Sequence, residues 1–275
     1  MLRTRALTAV IGLTLFLSAL FLLPKSGWVV FCAAILAIAA WEWGGLAGFA
    51  APGRSAYSGL VVAIFVFPEF FRIVRWDNLQ MPFDAYYASA LFWMILVPVW
   101  LWWRPRVGPV LMLAAGVLAL VPAFAALVDL RGVVGPTQLL AILAIVWISD
   151  SAAYLIGGTF GKHKLAPSIS PGKTWEGVLG ALVAVIVYAP AWVAIGGPAS
   201  LPDKLGLIPE GAGWFIAMLI GLAVVGMIGD LFESLIKRQA GVKDSGTLLP
   251  GHGGMLDRID APMAMLPLAV LAFIR

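Results

Sequence analysis

Gly108-Pro-Val-Leu-Met-Leu-Ala-Ala-Gly-Val-Leu-Ala-Leu-Val-Pro-Ala-Phe-Ala-Ala-Leu-Val-Asp129 carries no charge before its last residue. At a rise of ~1.5 Å per residue, roughly 20 such residues cross the hydrocarbon layer of a bilayer as a helix, which satisfies every backbone polar group internally. Runs of this kind recur along the chain, predicting helices over 6–23, 28–49, 57–74, 85–103, 108–129, 137–158, 177–197, 213–236 and 261–275. Together they fill the 275 residues, of which 62% are hydrophobic and 12% charged. With a mean hydropathy of +0.99, this composition excludes a soluble globule with a polar surface. The fold class read from it is all-α: a polytopic transmembrane bundle of nine predicted spans, forming one integral membrane domain over 1–275.

The last run is short and holds Pro262 and Pro267, which predicts a tilt, a kink or an earlier start near Met255. The first follows Arg3 and Arg5 in the charge pattern of a signal peptide, but the spans behind it mark an uncleaved first helix. Cys32 is the one cysteine, so neither an intramolecular disulfide nor a cysteine metal site is expected. A net charge of +4 gives no support to nucleic-acid binding. With a cytoplasmic amino terminus, Arg3, Arg5, Arg54, Arg104, Arg106, Lys162, Lys164, Lys173, Lys237, Arg238, Lys243 and Arg258 fall on the inner side. Lys25, Arg72, Arg75, Arg131, Lys204 and Arg275 fall outside, in keeping with the positive-inside rule. The polar loops after the sixth and eighth spans then share the cytoplasmic face, where one interfacial site can be assembled from both.

Those loops concentrate the charge. At the end of the eighth span Asp230, Glu233, Ser234 and Lys237 share one helical stripe, with Leu231, Phe232, Leu235 and Ile236 opposite. A carboxylate so close to hydrocarbon is costly without a cation, a partner or water, which makes Asp230 a candidate metal ligand. Glu233 divides evenly between a metal role and an ion pair with Lys237 one turn on. Past Pro250, the glycines Gly251, Gly253 and Gly254 around His252 form a loop that lets backbone amides approach an anion. Asp257 follows as the second candidate metal ligand. Asp260, just before Ala261 and Pro262, reads equally as a helix N-cap and as a further ligand. His252 lacks the companions of a zinc site, leaving phosphate binding or a structural loop role. Lys237, Arg238, Lys243 and Arg258 are each explicable as topology signals, yet four of them around two carboxylates point to phosphate.

In the other loop, Gly172-Lys173-Thr174 invites comparison with a P-loop. The comparison fails, because position 167 is proline and no strand is expected ahead of it. A turn rich in hydroxyls and lysine before the seventh helix remains, with Ser170, Lys173 and Thr174 as candidates for substrate phosphate. Asp150, flanked by Ser149 and Ser151 toward the end of the sixth span, reads either as a substrate-site carboxylate facing the bundle interior or as part of a small-residue packing surface. Glu42 and Glu69 stand in apolar surroundings without partners visible in the sequence.

Taken together, these residues resemble the phosphatidate cytidylyltransferase (CDP-diglyceride synthetase) family. Ser234, Ile236, Lys237, Arg238, Lys243, Asp244, Gly246, Leu249, Pro250, His252, Gly253, Gly254, Met255, Asp257, Arg258, Ile259 and Asp260 meet its signature without a gap. Asp150-Ser-Ala-Ala-Tyr154, Ser170-Pro-Gly-Lys-Thr174 and Glu176-Gly177 are similar to other segments of these enzymes. The resemblance covers residues 137–275, while 1–136 carry no diagnostic motif. It implies a metal centre on Asp230 and Asp257 holding Mg2+, with a monovalent cation such as K+ as a second ion, and a homodimer. Asp244 joins Asp150, Ser170, Lys173, Thr174, His252, Gly253 and Gly254 as substrate-binding candidates. Asp230, Asp257, Lys237, Arg238, Lys243 and Arg258 are expected to act at the reacting phosphates.

The implied reaction joins CTP to phosphatidic acid in the bilayer, at a site on the cytoplasmic side of the inner membrane, and gives CDP-diacylglycerol and pyrophosphate. Both reactants are anionic, so holding them together and cancelling charge is the main task, with no protein nucleophile or general base required. Asp257→Asn is expected to abolish turnover and leave the fold intact. Two other readings are open: a CTP-dependent transferase with another lipid phosphate or alcohol as acceptor, and a transporter. Against transport, the polar residues gather at one interface rather than at mid-membrane in two matching halves.

Overall fold

The computed structural model describes residues 2–75, 83–194, 212–251 and 253–274. His252 lies outside them, as do residues 195–197 of the predicted seventh span. A helix covers most of each of the nine predicted segments: α1 (Leu2–Leu22), α2 (Lys25–Leu46), α3 (Ala51–Arg75), the rod of α4 (Phe83–Leu91), a π-turn (Phe92–Leu96) and α5 (Val97–Trp103), then α6 (Pro109–Val133), α7 (Pro136–Phe160), α8 (Trp175–Ala194), α9 (Ala212–Gln239) and α10 (Leu256–Phe273). Pro109 and Pro136 open their helices, where a missing N–H costs nothing. Six helical segments are long and apolar enough to cross a membrane: Lys25–Leu46, Phe83–Trp103, Pro109–Val133, Pro136–Phe160, Trp175–Ala194 and Gly213–Gln239. The fold is all-α and polytopic, with large apolar side chains such as Val30, Phe67, Trp102 and Val187 exposed on its periphery.

Short α10 is the centre of the bundle, packed against α9, α6, α4, α2 and α7. It starts at Leu256, close to the alternative start near Met255. Met263, Ala264, Met265, Leu266, Ala269 and Val270 are buried along it. The expectation that Asp260 is an N-cap is corrected here: it lies in the second turn of α10, its own carboxylate accepting from Ala261 N at 2.9 Å. The helix begins earlier because Asp257 and, from another helix, Glu42 take up backbone amides at its start.

Small residues bring the functional helices together. A Cβ on Gly229 would run into Asp260 O and Ala264, and one on Gly226 would touch Ala261, so α9 and α10 cross at close range. Gly157 and Gly177 do the same for α7 and α8. Beneath the crossing, Phe232 packs against Trp43, Phe92, Trp93 and Trp100, with ring centroids 5.3–6.4 Å away. The apolar stripe of α9 thus faces the core through Phe232, Leu235 and Ile236, which turns Asp230 and Lys237 toward the end of the bundle where the loops lie.

Candidate active site

The loop between α7 and α8 is not the irregular turn expected of an all-helical chain. It folds into an antiparallel hairpin of β1 (Lys164–Ala166) and β2 (Ser170–Thr174). Its base is fastened by Glu176, whose carboxylate meets His163 Nδ1 at 2.6 Å and accepts from His163 N. Thr174 is buried and caps α8, its hydroxyl oxygen accepting from Gly177 N at 3.1 Å. The hairpin is tied to the same end of the bundle as the α9–α10 loop: Arg238 Nε donates to Ile169 O, Arg104 Nη1 donates to Ser168 Oγ, and Gln239 Nε2 donates to Pro105 O. The two polar loops therefore share one face, as the alternation of spans predicts.

Between the hairpin and the ends of α7, α8 and α9 opens a cavity of about 410 Å³ whose lining includes Asp150, Ser170, Lys173, Thr174 and Asp230. Across it, Lys173 Nζ lies 2.6 Å from Asp230 Oδ2. Asp150 faces this open space rather than packed protein, and Asp150, Asp230 and Asp260 are near enough to act on one another's charge. Four of the sequence candidates (Asp150, Ser170, Lys173 and Asp230) thus meet around one void, with Thr174 below them as cap and lining at once.

A second polar cluster follows further along α9, around Lys237. Lys237 Nζ is 2.5 Å from both Glu233 Oε2 and Asp257 Oδ1, so the ion-pair reading of Glu233 is the geometry found, with that carboxylate fully buried. Asp257 Oδ2 accepts from Gly254 N at 2.8 Å and from Ser245 N at 3.0 Å. The glycine loop therefore does present amides to an anion, and that anion is Asp257 itself. Gly253 holds φ +83°, and a Cβ there would fall on Asp257.

Glu42 is the buried carboxylate whose partners sequence reasoning missed. Near the end of α2 it is buried, and its carboxylate accepts from Ser245 Oγ at 2.9 Å, Met255 N at 3.0 Å and Leu256 N at 2.8 Å. Its partners stand over two hundred positions away, so local spacing offers no signal; a carboxylate in an apolar run is the single hint the sequence holds. Glu69 is likewise buried, toward the far end of α3. Lys243 and Asp244 are exposed on the α9–α10 loop, and Arg238 is exposed at the end of α9. Arg258 points away from the large cavity and borders an apolar one of about 140 Å³ lined by Phe16, Phe124, Trp147 and Met263 among others.

Magnesium takes oxygen donors only, commonly one or two carboxylates completed by water and substrate phosphate. The carboxylates around the cavity fit that chemistry. Among the described residues no group of three or more histidine, cysteine or acidic side chains is arranged to hold a metal ion by itself.

A family model described as the cytidylyltransferase family matches residues 3–274. The chain is 36% identical to a phosphatidate cytidylyltransferase of Pseudomonas aeruginosa over 274 residues, covering 97% of this chain and 95% of that one. It is 31% identical to a phosphatidate cytidylyltransferase of Haemophilus influenzae over 284 residues, covering 97% and 96%. A further relative of that name, from Thermotoga maritima, is 37% identical over 139 residues, half of each chain.

Proposed function

Because the chain belongs to the cytidylyltransferase family, we propose that it transfers the cytidylyl group of CTP to phosphatidic acid, releasing pyrophosphate and leaving CDP-diacylglycerol in the bilayer. The observation that carries this reading is the charged cavity between apolar helices, where Lys173, Ser170, Asp150 and Asp230 converge from two helices and a hairpin. A nucleotide needs the polar void; a lipid needs the apolar flanks.

In the reaction a phosphate oxygen of phosphatidic acid attacks the α-phosphorus of CTP, a new P–O bond forms, and the bond to the β-phosphate breaks as pyrophosphate leaves. The attacking oxygen is already ionised near neutral pH, so no side chain has to take its proton. Lys173 and Ser170 bind the triphosphate from the hairpin side. Arg238 and Lys243 are exposed along the α9–α10 side, where with Lys237 they lower the repulsion between the two anions, and Arg258, which borders the apolar cavity, would have to turn to join them. Asp230 and Asp257 are the residues that would hold Mg2+, which supplies Lewis-acid stabilisation of charge on the phosphate oxygens when bound. Glu233 and Asp260 stand next to these two, and K+ is the proposed second ion.

Asp230 and Asp257 each hold a lysine here, Lys173 and Lys237. Substrate phosphate would draw Lys173 off Asp230 and leave that carboxylate open to a cation, while Lys237 stays with the buried Glu233 and Asp257. The face with Arg54, Arg104 and the hairpin is the cytoplasmic one in this reading, in an inner membrane, and the working unit is a homodimer.

The test is direct. Purified protein, radiolabelled CTP, magnesium and phosphatidic acid are expected to yield a labelled lipid and an equal amount of pyrophosphate. Label appearing only with an isoprenoid phosphate or another lipid acceptor would move the substrate assignment, and nucleotide-independent flux across sealed vesicles without labelled lipid would replace it with transport.

A further inference from the structure

We infer that Glu42, on α2 in the half of the chain without motifs, is a positioning residue that holds the Ser245–Asp257 turn in its working shape. This rests on the reading of Asp257 as part of the transfer site.

The geometry is that of a helix cap supplied by a different helix. Met255 N and Leu256 N stand at the start of α10, where the first amides have no partner within their own helix. Glu42 takes one on each oxygen, Met255 N on Oε1 and Leu256 N on Oε2. The same Oε2 faces Ser245 Oγ at 2.9 Å, and that hydroxyl also lies 3.0 Å from Asp257 Oδ2. One hydroxyl proton serves two carboxylates, so Glu42 and Asp257 are linked through Ser245. The loop is built around this carboxylate: a Cβ on Gly246 or on Gly254 would penetrate Glu42 far inside van der Waals contact. Two glycines of the motif are thereby explained by the close approach of Glu42.

The support is rigid. Beside Glu42, Trp43 is fully buried and donates from Nε1 to Met112 O at 2.8 Å, while Tyr57 donates to Leu113 O at 2.9 Å, fixing the end of α2 and the start of α3 onto α6. Glu42 therefore transmits the position of the amino-terminal scaffold to the turn that carries Asp257. Its hydrogen-bond partners Ser245, Met255 and Leu256 are not among the residues lining the large cavity on the hairpin side, so nucleotide affinity and turnover respond to it differently.

Glu42→Gln is the decisive variant. Glutamine keeps the shape but presents one oxygen and one NH2, and the two fixed amides cannot both be satisfied. In the full-length detergent-purified protein, the amides of Met255 and Leu256 are expected to exchange hydrogen faster than in wild type, with the hairpin amides of 164–174 unchanged. Turnover per folded molecule is expected to fall on the order of 100-fold, as for misplacement of a reacting group by about 1 Å, while KM for CTP stays near wild type. Glu42→Asp, which keeps both acceptors and the charge, is expected to recover part of the loss. Unchanged exchange at Met255 and Leu256, or a kcat per folded molecule equal to wild type, overturns the inference. A rise in KM for CTP at constant kcat overturns it too. If wild-type protein itself makes no CDP-lipid, the functional reading fails, and the exchange comparison still decides whether Glu42 holds the turn.

Discussion

Lys173 of the hairpin and Asp230 of α9 meet at 2.6 Å across the mouth of the cavity, each side chain about a quarter exposed. With Arg238 Nε donating to Ile169 O, this contact closes the hairpin onto the helix that bears the acidic stripe. A partly exposed pair contributes little to stability, about 0–1 kcal/mol, so its presence in the cavity is better explained by what it does to substrate than by what it does for the fold.

Lys173→Gln is therefore expected to leave thermal unfolding within roughly 3 °C of wild type, the shift that ~1 kcal/mol gives in a chain of this size. Its kcat/KM for CTP should fall on the order of 100-fold, the loss typical of one charge-stabilising donor at a reacting phosphate. Steady-state kinetics alongside a melting curve checks both halves, and turnover close to wild type removes Lys173 from the site.

The second lysine behaves in the opposite way. Lys237 bridges Glu233, which is fully buried, and Asp257. Lys237→Met leaves two carboxylates facing one another in a dry setting, and removal of one partner of a buried pair costs about 3–5 kcal/mol. The double variant Lys237→Met, Glu233→Gln is expected to regain much of that stability while turnover stays lost. Denaturant unfolding of the single and double variants separates the two effects; equal stability of Lys237→Met and wild type would mean that Glu233 is not held as an ion.

How much of this was legible in the sequence follows from the range of each signal. The helices are written locally, in runs of apolar residues, so each predicted segment finds its helix, and the Asp230, Glu233, Lys237 stripe needs only the period of one helix. The meeting of Ser170 and Lys173 with Asp230 was reached through topology, since two loops on one face are free to touch. What could not be read depends on distant contacts. Glu42 acquires its partners only when α2 docks beside the start of α10, and Asp260 looked like a cap because the true start of α10 is fixed by that same docking. The hairpin escaped notice because Lys164–Ala166 and Ser170–Thr174 are too short and polar to alternate visibly.

Asp257→Asn changes meaning with the structure in view. The sequence alone predicts a loss of activity with an intact fold, whereas the carboxylate here accepts from Gly254 N, Ser245 N and Lys237. An asparagine retains one acceptor and offers an NH2 where a donor already points. Turnover should vanish and stability should drop by about 1–3 kcal/mol, the cost of leaving a buried donor unsatisfied. A melting curve superimposable on wild type would show that the Asp257 bonds are not part of what holds the loop.

The glycines give the sharpest contrast, because the same substitution has opposite consequences at two sites. On Gly254 a methyl group would overlap Ser245 Oγ and the Glu42 carboxylate; the first cannot withdraw without giving up Glu42 and Asp257, nor the second without giving up the amides of Met255 and Leu256. On Gly59, inside α3, a methyl group meets nothing within 4 Å. Gly59→Ala should stabilise the protein by about 0.5–1 kcal/mol through the lower backbone entropy of the unfolded chain and leave turnover unchanged. Gly254→Ala should destabilise by about 1–3 kcal/mol, as overpacking does, and lose turnover with it. Adding Glu42→Ala to Gly254→Ala removes the carboxylate collision and vacates space into which Ser245 Oγ can turn, so the pair is expected to be more stable than Gly254→Ala alone even though Glu42 is itself favourable. A double variant less stable than either single one would show that the methyl group collides elsewhere.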